Sequence, residues 1–201
     1  DALLIASMSM DSASCNGVAD GTATANGITG GNGINSFSWN TTPLQTTNPA
    51  TGLAAGNYTI TVTDQKGCFT TRDTTVLEPL LLVIDTTFQD SVSCNGLFDG
   101  TASVVASGGN GIYSYLWSDG QTTATASNLT AGTYNVTITD QKGCFKDTSV
   151  IVLEPDALLI ASMSMDSASC NGVADGTATA NGITGGNGIN SFSWNTTPLQ
   201  T

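Results

Sequence analysis

The chain contains no histidine and only four basic residues against sixteen acids, leaving a net charge of −12. Histidine is the side chain that most often moves protons near neutral pH, and without it no serine or cysteine here has a base to activate it. An enzyme is therefore not expected. So acidic a surface repels phosphate backbones and anionic lipid, which sets nucleic acid aside as a partner. Long apolar runs are missing too. The longest, Leu80–Ile84, falls far short of the roughly 20 residues of a membrane span, so membrane insertion is not expected, and any export signal or anchor must lie outside this segment. No stretch shows the apolar periodicity of an amphipathic helix.

What the chain has is repetition. Asp156 to Thr201 repeats Asp1 to Thr46 letter for letter. A shorter, degenerate period lies inside that identity, because Leu77-Glu78-Pro79 recurs as Leu153-Glu154-Pro155. Aligning the two units on it pairs Ser14-Cys15-Asn16-Gly17 with Ser93-Cys94-Asn95-Gly96, Gly30 to Gly33 with Gly108 to Gly111, and Asp64 to Phe69 with Asp140 to Phe145. The domain division this predicts is 1–79 (repeat A), 80–155 (repeat B) and 156–201, a truncated copy of repeat A whose closing strands are expected beyond Thr201. Units of this length exceed the 20 to 50 residues of solenoid repeats, so each is expected to fold as its own small domain. Such uniformity suits a protein whose task is length rather than a single active site.

Threonine, serine, glycine and asparagine are abundant, as in extracellular β modules. Period-two alternation is clearest where Tyr58, Ile60 and Val62 share one face and Thr59, Thr61 and Thr63 the other, a pattern repeated by Tyr134, Val136 and Ile138. Phe37 and Trp39 share a face of an earlier strand, as do Tyr113, Tyr115 and Trp117, giving each unit a buried aromatic anchor. Closing strands are expected near Thr70–Leu77 and Lys146–Leu153. The Gly-Gly-Asn-Gly runs have no following lysine or helix that would make them phosphate loops, and they read as hairpin turns. Short strands at this density predict an all-β fold of tandem immunoglobulin-like β-sandwich domains, with Leu53 to Tyr58 and Leu129 to Tyr134 placed as tyrosine corners. Pro79 passes into Leu80 with no linker, so the domains are expected to join end to end in a rod.

Within each complete unit the cysteines fall into a pair, Cys15 with Cys68 and Cys94 with Cys144, while Cys170 is left with its partner outside the segment. The expected links are intradomain disulfides, each worth roughly 4 kcal/mol in the loop-entropy model and suited to small exported domains. A metal site is disfavoured by the lack of histidine and of Cys-x-x-Cys; free buried thiols and links between units are the other readings.

The string Ser-Val-Ser-Cys-Asn-Gly-Leu-Phe-Asp-Gly-Thr-Ala from Ser91, followed by Ser107 to Ser118, resembles the SprB repeat of Bacteroidota gliding-motility adhesins. The resemblance extends over both full units and the partial third, including the downstream Leu-x-Ala-Gly-x-Tyr and Asp-x-x-Gly-Cys segments. It departs at Ile34-Asn35-Ser36, where the family has a proline and an aromatic. It implies a long cell-surface protein exported by the type IX secretion system, displayed as a mobile adhesin or a filament. The partners implied are neighbouring repeats, neighbouring filaments, and a cell surface or substratum reached through other regions.

Two kinds of candidate site remain. Asp20 and Asp99 lie beside the first cysteine of their units and Asp64 and Asp140 precede the second, so the expected disulfides would bring acids close enough to share calcium, whose ligands are oxygens. The competing reading is that Asp-Gly and Asp-x-x-Gly are turn formers whose carboxylates bond their own backbone. Ser12, Thr74, Thr86, Ser91 and Ser167 each follow an aspartate and precede a small or apolar residue, resembling the O-glycosylation sequon of Bacteroidota secreted proteins; the competing reading is ordinary strand-edge hydroxyls. The functional expectation is a rigid spacer or stalk in a surface adhesin or filament. Its alternative is a multivalent module that contacts glycans or surfaces through loops or aromatics.

Overall fold

The structure is a computed structural model that describes residues 1–188 and 191–195. All regular structure among them is β. In the first repeat the strands are β1 (Leu4–Asp11), β2 (Gly21–Thr29), β3 (Ile34–Trp39), β4 (Ala50–Leu53), β5 (Gly56–Asp64) and β6 (Phe69–Val76). The second repeat runs through β7 (Leu80–Asp90), β8 (Gly100–Gly109), β9 (Ser114–Trp117), β10 (Thr125–Leu129), β11 (Gly132–Thr139) and β12 (Phe145–Val152). A last hairpin, β13 (Leu159–Asp166) and β14 (Thr177–Thr184), follows.

Each complete repeat forms two three-stranded sheets, ordered β1-β2-β4 and β3-β5-β6 in the first and β7-β8-β10 and β9-β11-β12 in the second. That is an immunoglobulin-like arrangement with one edge strand absent. Its diagnostic details are present: Trp39 on the third strand is 1% exposed, and the Tyr58 hydroxyl donates to Ala54 O at 3.0 Å, making a tyrosine corner. The Gly-Gly-Asn-Gly runs are not hairpin turns, as the sequence suggested. They carry the chain from β2 to β3 and from β8 to β9, out of one sheet and into the other. The close approach explains the glycines: a Cβ on Gly30 (φ 76°) would lie 1.9 Å from Ala2 O.

The alternation read from β5 holds in the core. Ile60, Val62 and Asp64 are buried, while Thr59, Thr61 and Thr63 are only half-buried. Ile5, Ala23, Ala25, Trp39, Ala50, Leu53 and Val76 complete the first core, with Phe37, Tyr58 and Met8 against it. The two sheets are tied at their edges by Arg72 of β6, whose Nη1 donates to Ile5 O at 2.6 Å and Ala6 O at 2.8 Å on β1. Asparagine and glutamine amides stand in for missing strand neighbours. Gln45 exchanges two 2.9 Å bonds with Thr51, and Gln121 exchanges bonds of 2.9 and 3.0 Å with Ser127. Each clip supports its tryptophan, whose indole N–H reaches Thr47 O at 2.9 Å or Thr123 O at 2.8 Å.

Contact density divides the chain into two units that do not follow the repeats. The first comprises Asp1–Asp85, Ala106–Ser114 and Thr137–Lys146; the second comprises Thr86–Val105, Tyr115–Val136 and Asp147–Thr201. The division passes through strands β7, β8, β9, β11 and β12. The first unit thus holds the whole first repeat together with the end of the second that follows Pro79.

Candidate functional site at the repeat junction

The loop between β1 and β2 is clamped to the last residues of its own repeat. Ala13 N donates to Leu77 O at 2.9 Å, Asn16 Nδ2 to Pro79 O at 3.1 Å, and Gly17 N to Glu78 Oε2 at 2.6 Å. Ser14 N closes the loop onto Asp20 Oδ1 at 2.8 Å. The second repeat repeats every bond: Val92 N to Leu153 O, Asn95 Nδ2 to Pro155 O, Gly96 N to Glu154 Oε2, and Ser93 N to Asp99 Oδ1. Ser-Cys-Asn-Gly and Leu-Glu-Pro therefore recur together because one grips the other.

Across from the first loop, within the same compact unit, lies the β11–β12 turn. Cys15 is disulfide-bonded to Cys144, with a Cα–Cα distance of 5.7 Å. Beside the bridge, Asn110 Nδ2 donates both to Ser14 O at 2.8 Å and to Asp140 Oδ2 at 2.9 Å. An open cleft of 290 Å³ flanks the bridge, lined by Asn16, Leu80, Leu81, Phe145 and Lys146 among others.

This pairing corrects the expectation of Cys15–Cys68 and Cys94–Cys144 bridges: Cys68, Cys94 and Cys170 are free and exposed. The reason is the length of the closing strand. Cys15 is held at Leu77–Pro79, whereas Cys68 sits just before Phe69, at the other end of β6. At ~3.3 Å per residue that strand separates them by roughly 25 Å, against the ~4.4–6.8 Å between Cα atoms that a disulfide spans. Cys94 and Cys144 are kept apart in the same way by β12.

The same geometry removes the premise for calcium. Asp20 lies at the Pro79 end of the repeat and Asp64 at the other, as do Asp99 and Asp140 in the second. Among the described residues no three cysteine, aspartate or glutamate side chains gather. The carboxylates instead bond their own turns. Hydrogen bonds from the Ser14 side chain and then its backbone hold Asp20 below the usual carboxylate range, and Ser93 does the same for Asp99. Of the candidate glycosylation positions, Ser12, Thr86, Ser91 and Ser167 are exposed and Thr74 is half-buried.

Sequence reasoning missed the inward direction of Asp64. It continues the buried parity of Tyr58, Ile60 and Val62, so a carboxylate enters the core and must be satisfied there. Asn32 supplies its side-chain amide at 3.0 Å and its backbone N–H at 3.1 Å, and Lys66 N and Cys68 N donate at 2.8 and 2.9 Å. These bonds, the Asn32 side chain first, lower its pKa to about 2. Asp140 has the same donors in Asn110, Lys142 and Cys144; burial acts to raise its pKa, and the bonds outweigh that and lower it. An unfolded aspartate titrates near ~3.9. A group whose pKa falls on folding stabilises the fold above its unfolded value and ceases to do so as pH drops through the folded one. Urea midpoints measured from pH 5 to pH 2 are expected to fall mainly below pH 4, and Asp64→Asn is expected to reduce that dependence. A flat profile in the unsubstituted chain would refute the assignment.

No curated protein matches the chain. Among solved structures, the C-terminal 282-residue fragment of intimin, determined in complex with the intimin-binding domain of the translocated intimin receptor, is similar at 16% identity and a TM-score of 0.40. The similarity covers 76% of this chain and 65% of that one, just under two thirds of the fragment. The SprB repeat family model matches residues 86–122, from late β7 through the Ser93 to Gly96 loop and Gly108 to Gly111 to the Trp117–Gln121 clip. The matched stretch lies wholly within the second repeat, which over those residues is similar to an SprB repeat.

Proposed function

We propose that the chain is a spacer segment of a long extracellular surface adhesin or filament, in which repetition supplies reach. The carrying observation is the junction at Pro79-Leu80. It has no linker, it is clamped on one side by Asn16 and Gly17, and it is cross-linked on the other by Cys15–Cys144 and Asn110. A junction fixed at several points resists bending, whereas beads that bind independently need slack. The SprB repeat at residues 86–122 supports a surface adhesin-type repeat region. The rival reading, direct multivalent binding, loses its best aromatic platforms, because Trp39 and Trp117 are 1% and 2% exposed. Export by type IX secretion and a part in gliding belong to the proposal as what the resemblance implies.

Electron microscopy of the native surface array tests the spacer reading. Straight segments with a regular rise of about 40 Å per repeat are expected, from strand length at ~3.3 Å per residue. Irregular angles at the Pro79 and Pro155 junctions would overturn it.

A further inference from the structure

The Cys15–Cys144 bridge joins two positions that every repeat carries. One is a plug, the Ser-Cys-Asn-Gly loop gripped by the Leu-Glu-Pro end of its own repeat. The other is a socket, the turn cysteine beside the asparagine of Gly-Gly-Asn-Gly and the buried aspartate. The remaining plugs and sockets have the same construction. In the second compact unit, Cys94 is held by the same loop bonds to Pro155 and Glu154, and it is exposed and free. Asn187 is the sequence equivalent of Asn110, and its Nδ2 donates to Ser93 O as Asn110 donates to Ser14 O. The second junction therefore already has the hydrogen bond that accompanies the bridge in the first. At the other end of the chain, Asn32 holds Asp64 as Asn110 holds Asp140, and Cys68 is exposed beside them as an unfilled socket.

We propose that the repeats are linked by a disulfide ladder, in which the plug cysteine of each repeat bonds the turn cysteine of the repeat that follows it in the same chain. Cys94 takes the turn cysteine of the third repeat, and Cys68 takes the plug of a repeat preceding the first. Each link forms by thiol–disulfide exchange with an oxidised dithiol oxidoreductase. Two cysteine thiols lose two electrons and two protons to the donor's disulfide, leaving one inter-repeat S–S bond and two donor thiols. The ladder rests on the spacer reading only in that repeats follow one another in series; its geometric basis is the junction itself. A tensile load on such a chain would pass through covalent cross-links at every junction as well as through the backbone.

The sequence makes the links readable. Trypsin separates the four cysteines of the first two repeats into a peptide ending at Lys66, Gly67–Arg72, Asp73–Lys142 and Gly143–Lys146. The natural full-length chain, alkylated without reduction, digested and mapped by mass spectrometry, is expected to give the peptide ending at Lys66 linked to Gly143–Lys146. Asp73–Lys142 is expected to be linked to a Gly-Cys-Phe-Thr-Thr-Arg peptide, the turn of a repeat A. Links therefore join unlike repeats. Asp73–Lys142 linked to Gly143–Lys146, or alkylated at Cys94, would overturn the ladder. Multimers that collapse to monomers on a reducing gel would overturn it too, placing the bonds between copies. Regular spacing in micrographs together with an alkylated Cys94 would leave the spacer reading standing and remove the ladder alone.

Discussion

Replacing Cys144 with serine is expected to destabilise the 201-residue chain strongly, while replacing Cys68 is expected to change almost nothing. Cys15 and Cys144 are 129 residues apart in sequence. In the loop-entropy model a cross-link of that span restricts the unfolded chain by up to about 5 kcal/mol, among the largest effects a single substitution can have. Cys68 is exposed and unbonded in this chain, so its loss removes neither a constraint nor a contact of consequence. Urea denaturation of oxidised protein gives the comparison directly. Cys144→Ser should lower the midpoint and make it insensitive to reductant, while Cys68→Ser should retain the full reductant sensitivity of the unsubstituted chain. Equal losses for the two variants would favour the intradomain pairing that sequence spacing alone suggested.

That pairing shows where sequence reasoning stops. The strands were legible because alternation is local: Tyr58, Ile60 and Val62 declared a half-buried strand, and Trp39 with Tyr58 declared its place in a sandwich. The disulfide partner is non-local, and the even count of two cysteines per repeat favoured the nearer answer. A signal against it was nevertheless present. Cys68 immediately precedes the closing strand and the Leu77–Pro79 grip follows it, so a full strand length lies between the expected partners. The inward aspartate was legible in the same way, since Asp64 shares the parity of Val62. What sequence could not supply was its set of donors, because Asn32 comes from a crossing between sheets rather than from a neighbouring turn. The glycine runs were misread for a related reason: Gly-Gly-Asn-Gly fits a tight hairpin locally, and only the sheet assignment of β2 and β3 shows that it changes layers.

Trp39→Ala is expected to cost about 3–5 kcal/mol, while the same change at Trp194 is expected to cost close to nothing. The two tryptophans occupy the same place in identical sequences, so the pair measures what surroundings add to a fixed local sequence. The hairpins preceding them are the same. Leu4 pairs Thr29 and Ile5 pairs Ile28, as Leu159 pairs Thr184 and Ile160 pairs Ile183. Burial differs completely: Ile5 is 3% exposed and Ile160 56%, and every residue of β13 is exposed. In the first repeat the sheet β3-β5-β6 covers the hairpin, and Trp39 fills the space between the layers with its indole N–H bonded to Thr47 O. Among the described residues no such sheet covers β13 and β14, and Trp194 is half-buried. Hairpin register is therefore encoded by the local sequence, whereas most of the stability comes from closing the sandwich, as burial at ~25 cal/mol per Å² of apolar surface requires. Urea unfolding of both variants, followed by far-ultraviolet circular dichroism, would decide the matter. Comparable losses at positions 39 and 194 would mean that the hairpin, rather than the closed sandwich, carries the stability of a repeat.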